Sequence, residues 1–184
     1  LPKVLDAIKR ETALIRGSFH GTMLRNEIFD FSQIGTFVER ADNTARILDV
    51  KYYVLLPSIS WVGSTLDNSQ WESILRSVSA HRSYRWVYEA DYKPTNIADF
   101  LILNGRMPRS LAFCYRSIND SLGFLAEAYG TRHRCHETAA DTLSRLRVRS
   151  IKDIFDAGLH EFLGDFITRN NKLGAEVAQD YQFY

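Results

Sequence analysis

Phe37-Val38-Glu39-Arg40-Ala41-Asp42-Asn43-Thr44-Ala45-Arg46-Ile47-Leu48-Asp49 is the stretch whose reading decides the fold. Its apolar positions belong to a longer series, Phe31, Ile34, Val38, Ala41, Ala45, Leu48, Tyr52 and Leu55, which steps three and four residues alternately. That step places the side chains along one face of a helix with 3.6 residues per turn. Five charges, Glu39, Arg40, Asp42, Arg46 and Asp49, sit inside this apolar helix. At 100° per residue, Val38, Ala41, Ala45 and Leu48 centre one apolar stripe, while Glu39, Arg40, Asn43 and Arg46 fall on the far side. Phe29, Ile47, Val50 and Val54 share that far side. A helix apolar on opposite sides is usually buried from both. The expectation is therefore an enclosed polar layer holding Glu39, Arg40 and Arg46, because charge among hydrophobic neighbours costs free energy unless partners answer it.

Within that helix Glu39 and Asn43, Asp42 and Arg46, and Arg46 and Asp49 are spaced to touch. Two readings stay open. One is a buried ionic network that fixes the register of neighbouring helices. The other is a ligand or catalytic pocket with a carboxylate beside guanidinium groups.

The helical period extends outward from this segment. Leu5, Ile8, Thr12, Ile15 and Phe19 form one stripe, Leu111, Tyr115, Ile118, Leu122, Leu125 and Tyr129 another. Ile151, Phe155, Phe162, Phe166, Leu173 and Val177 form a third, with a polar interruption at Arg169-Asn170. No segment sustains a period of two. Ser69 to Glu72 and Ser150 to Asp153 have capping-box form, Pro108 suits the first position of a helix, and Gly130 suits the end of one. The spacing predicts helices over 3–18, 24–56, 69–90, 95–104, 108–129, 132–148 and 151–182, with 57–68 as the longest connector. Short connections between long helices predict an all-α fold, an antiparallel bundle of six or seven helices including two long ones, as a single domain over 1–184.

Composition narrows the functional classes. At 184 residues, 45% hydrophobic and 24% charged, the chain has the make-up of an ordinary globular protein. No apolar run approaches the ~20 residues that span a bilayer, and no signal peptide is visible, although the chain opens Leu1-Pro2-Lys3. No membrane role is expected, and with only Cys114 and Cys135 the cytoplasm is the expected compartment. A net charge of +1 gives no global attraction for nucleic acid. Arg outnumbers Lys by 17 to 6, a choice suited to forked pairing with carboxylates or phosphates and equally to a G+C-rich genome.

The segment from Gly35 to Asp49 resembles the signature of the alpha-E family, an all-helical bacterial domain named for its Glu-Arg pair. Gly21-Thr22-Met23-Leu24-Arg25, Phe100-Leu101-Ile102-Leu103, Met107-Pro108-Arg109-Ser110 and Gly158-Leu159-His160-Glu161-Phe162 extend the resemblance over nearly the whole chain. Family members lack an established activity. They accompany, or are fused to, ATP-grasp amide-ligase-like and transglutaminase-like proteins, which implies such a protein as partner and a role in peptide or protein modification. Members are longer and carry a further Glu-Arg segment near the N-terminus, so the resemblance is to their C-terminal part.

Arg106 and Arg109, near the start of a predicted helix, would suit a phosphate or carboxylate, or pair with Glu39 or Asp42. Arg109 in a first helical turn is disfavoured by the helix dipole and asks for a compensating partner. His133, Cys135, His136 and Glu137 lack a further liganding pair at metal-site spacing, so no metal and no cofactor are expected, and a solvated helix start is the reading there. His160 reads as a packed, hydrogen-bonded core histidine. The candidate site thus comprises Glu39, Arg40, Asp42, Asn43, Arg46, Arg25, Arg106 and Arg109. The favoured function is a partner-binding helical module. The alternative is an enzyme working on a carboxylate or amide, with Glu39 as acid/base and the arginines as anion clamps.

Overall fold

The computed structural model describes residues 1–53, 65–89 and 91–183. Among these there are nine helices and no strand: α1 (Pro2–Thr22), α2 (Glu27–Tyr53), α3 (Thr65–Ser77), α4 (His81–Tyr88), α5 (Pro94–Ile102), α6 (Leu111–Tyr129), α7 (Arg134–Val148), α8 (Ile151–Ala157) and α9 (Leu159–Asp180). The all-α expectation holds. None of the described helices is long and apolar enough to cross a membrane.

Four helices form a closed ring, α2 beside α6, α6 beside α7, α7 beside α9 and α9 beside α2. Side-chain pairs fix their directions. Phe31 meets Tyr181 and Asp49 meets His160, so α2 and α9 run antiparallel. Phe37 meets Phe113 and Arg40 meets Pro108, which sets α6 antiparallel to α2. Asn119 donates to the Ala139 carbonyl while His136 meets the Leu122 carbonyl, and Arg134 pairs with Glu176 while Arg169 pairs with Asp141. Every neighbour in the ring is therefore antiparallel. The stripes supply the core: Ala41, Ala45, Leu48, Leu111, Ile118, Leu125, Leu163 and Leu173 are at most 1% exposed. Each fully buried Leu or Ile contributes about 1.5–3 kcal/mol by leaving water. Helices α3, α4 and α5 occupy the excursion between α2 and α6; α3 packs on α2, and α5 on α6 and α8.

Several boundaries differ from expectation, each for a local reason. The predicted helix 69–90 is two helices, because Ser79 adopts left-handed backbone (φ 56°) and the Ala80 amide reaches back to the Leu75 carbonyl at 2.8 Å. Ser69 lies inside α3 rather than capping it, because α3 begins at Thr65. The predicted helix 151–182 is broken at Gly158, whose φ of 98° a side chain would rarely tolerate. Ser150 and Asp153 do form the reciprocal capping box, and Gly130 (φ 66°) does end α6. α6 begins not at Pro108 but at Leu111, with Ser110 as N-cap accepting from the Phe113 amide at 3.0 Å. α5 is capped from Lys93, with Pro94 in its first turn. The 57–68 connector, the 54–56 end of the second predicted helix and Trp61 fall wholly or mainly outside the described residues.

Helix α1 stands apart: it has no buried residue, and Leu5, Ile8 and Ile15 of its stripe are exposed. It joins the bundle at its end, where Phe19 stacks on Phe29 at 5.0 Å.

Candidate functional site: the signature segment and the turn it holds

The signature segment splits by face. Phe37, Ala41, Thr44, Ala45 and Leu48 point into the ring and are buried. Glu39, Asn43 and Arg46 are exposed, and Arg40 and Asp42 are half-buried. The enclosed polar layer expected at Glu39 and Arg46 is not formed. Among the described residues α6 and α9 flank α2 along this segment, and Glu39, Asn43 and Arg46 on its remaining side are exposed. Val50 is 47% exposed, a scattered surface apolar residue rather than the mark of a second buried face. Asp42 and Arg46 do pair at 2.6 Å, but Arg46's side chain is 55% exposed, so the pair is weak surface electrostatics.

Arg40 behaves differently. It turns toward the segment linking α5 and α6, and its Nη1 donates to the Pro108 carbonyl at 3.1 Å. Its guanidinium lies over the Phe37 ring, 4.8 Å from the centroid. One turn along, Thr44 Oγ1 donates to the Arg109 carbonyl at 2.9 Å. The linking turn also braces itself. Asn104 Oδ1 accepts from the Arg106 and Met107 amides (2.8 and 3.0 Å), and Ser110 Oγ donates to the Asn104 carbonyl at 2.5 Å. Met107 is 6% exposed and Cys114 fully buried beneath. Burial, reinforced by the charges of Arg109 and Arg16, lowers the pKa of Arg40 from the ordinary guanidinium value. Burial pushes the Cys114 thiol up to about 12, so it is no thiolate nucleophile.

The other candidates separate. Arg106 and Arg109 lie on the turn whose Pro108 carbonyl Arg40 contacts, and the charge of Arg109 acts on Arg40. Arg109 precedes the N-cap rather than occupying the first helical turn, and among the described residues it pairs with neither Glu39 nor Asp42. Arg25 belongs to a different place. Its Nη1 and Nη2 donate to the Met23 and His20 carbonyls (3.1 and 2.6 Å) and it stacks 3.9 Å from the Phe29 centroid, closing the end of α1. The 132–137 stretch is not simply a solvated helix start, since Cys135 and His136 are buried. Cys135 lies 3.6 Å from His136, yet that ring already meets the His133 amide (3.0 Å) and the Leu122 carbonyl (3.0 Å), and burial raises the Cys135 thiol to about 12. No nucleophile is activated there. Among the described residues no three metal-ligating side chains converge.

Three groups take roles that the sequence reading did not give them. Lys51, wholly buried, pairs with Asp67 at 2.5 Å, donates to Gln70 Oε1 at 2.6 Å and lies 5.6 Å from the Trp71 centroid. Nothing local announces this, because the partners come from α3. Asn170 donates to the Val38 carbonyl at 3.0 Å and accepts from Tyr115 Oη at 3.1 Å, joining α9, α2 and α6. Its signal was visible as a polar interruption in an apolar stripe. His160 Nδ1 meets Asp49 Oδ1 at 2.6 Å across α9 and α2 as a half-buried pair, not a core histidine, and that carboxylate raises the imidazole pKa.

An all-helical ring whose signature arginine secures the α5–α6 turn defines a helical domain of the Glu-Arg type. The family model Alpha-E, described as a predicted alpha-helical domain with a conserved ER motif, matches residues 2–182, and the chain belongs to that family. No curated protein and no solved structure matches the chain.

Proposed function

We propose that this chain is a non-catalytic helical module that binds and positions a protein partner, an ATP-grasp amide-ligase-like or transglutaminase-like enzyme, in peptide or protein modification. The observation that carries this reading is Glu39. The acid of the signature pair is exposed and makes no hydrogen bond or ion pair among the described residues, while its neighbour Arg40 turns inward to the Pro108 carbonyl. A family acid that the fold itself leaves unused is available to a partner surface. The raised thiols of Cys114 and Cys135 favour binding over nucleophilic chemistry. The partner class comes from the family resemblance.

The test is co-expression with such a partner from the same genome, with complex formation read by size exclusion. Glu39→Arg is expected to abolish the complex while leaving helicity and thermal midpoint unchanged. An isolated chain that forms or cleaves an amide by itself, or a complex indifferent to Glu39→Arg, overturns the reading.

A further inference from the structure

Around the α5–α6 turn the cations outnumber their partners. The turn carries Arg106 and Arg109, Arg40 reaches it from α2, and Arg116 of α6 lies 3.7 Å from where a Cβ on Gly105 would stand. After burial, the charge of Arg16, on α1, adds to that of Arg109 in lowering the Arg40 pKa. None of the five forms an ion pair among the described residues. The acids nearby do not answer them: Asp42 is committed to Arg46, Glu39 is exposed and unpaired, and Asp120 is exposed. Arg40 and Arg109 are half-buried, so water screens their mutual repulsion less than it would on an open surface.

The cluster is also held in place. Arg40 is fixed between the Phe37 ring and the Pro108 carbonyl, and Arg116 lies over Phe113, 5.1 Å from the centroid. Phe37 and Phe113 are packed together at 5.9 Å, giving the two guanidinium groups a common aromatic base. Thr44 and Ser110 pin the backbone that carries Arg109. Of the five N–H donors on each guanidinium, Arg40 uses one on Pro108. The N-terminus of α6, at Leu111, follows the turn directly.

We propose that this arginine cluster is an oxyanion seat, receiving a phosphate or carboxylate group through the free donors of Arg40, Arg109 and Arg116. Forked donors on a fixed base match the paired oxygens of such a group. The seat is independent of Glu39's role, so either can fail alone.

The test is titration of the intact chain with inorganic phosphate and, separately, acetate at constant ionic strength, with chloride as control, read by calorimetry and by arginine Nε–Hε shifts. Saturable binding of at least one oxyanion, stronger than chloride, is expected. The double variant R109Q/R116Q, neither of whose side chains holds the backbone, is expected to weaken it about tenfold with an unchanged thermal midpoint. R109K, which keeps the charge and loses the fork, should fall between. A preference for phosphate assigns a phosphoryl source, and a preference for acetate a carboxylate source. Binding no stronger than chloride, or equal in wild type and R109Q/R116Q, overturns the seat.

Discussion

Helix α2 carries charge in two places that obey opposite rules. Near its end Lys51 is sealed from solvent against Asp67, Gln70 and Trp71. In its middle Glu39 and Arg46 stand in water, and only Arg40 leans inward to the Pro108 carbonyl. The difference lies in what surrounds each. Lys51 meets α3, which packs on α2, whereas among the described residues the signature segment is flanked by α6 and α9 and keeps Glu39, Asn43 and Arg46 exposed. Charge density along a helix therefore says little about enclosure; the neighbours decide it. The buried ionic glue expected at the signature does exist in this fold, but at Lys51.

The comparison breaks most sharply at Lys51 itself. Lys51→Ala removes one half of the buried Lys51–Asp67 pair and is expected to cost about 3–5 kcal/mol, read by denaturant unfolding. The double change Lys51→Met with Asp67→Leu should recover most of that loss, since no charge is then stranded. Next comes Asn170→Ala, which removes the hydrogen bonds that tie α9 to the Tyr115 hydroxyl and the Val38 carbonyl. About 1–3 kcal/mol is expected.

A subtler contrast concerns pH. The Asp49 carboxylate raises the His160 pKa in the folded state. The stabilisation is thus fully present below the unfolded value of about 6.5 and is lost as pH rises through the raised folded value. Thermal midpoints of wild type should fall over that window, and His160→Gln should flatten the slope. At the bottom of the scale, Glu39→Gln should leave stability within about 0.5 kcal/mol of wild type, as for an exposed residue without partners. A loss comparable to that of Asn170→Ala would place Glu39 inside the packing after all.

Much of the architecture was legible in the residues because it rests on local periodicity. The stripe from Phe31 to Leu48 and those of α6 and α9 each mark the face that the ring buries. Breaks at Ser79 and Gly158 were not legible, since a left-handed residue inside a helical pattern carries little warning unless it is a glycine at an expected end. At the candidate site, residue type singled out Arg40, Arg106 and Arg109 as candidates. The geometry of the Arg40 contact was not legible, because it runs from a guanidinium to a backbone carbonyl that no pattern of side chains reveals. Lys51 stayed hidden for the same reason: its partners are tertiary. Asn170 was written as an interruption whose meaning only the Tyr115 and Val38 contacts supply.

The division of labour within the signature pair is best tested by amide hydrogen exchange at Arg106 and Met107, whose N–H groups are held by Asn104 in the turn that Arg40 secures. Arg40→Gln is expected to speed exchange at both amides, while Glu39→Gln leaves them at the wild-type rate. Equal acceleration in both variants would contradict the assignment of Arg40 to the fold and Glu39 to the surface.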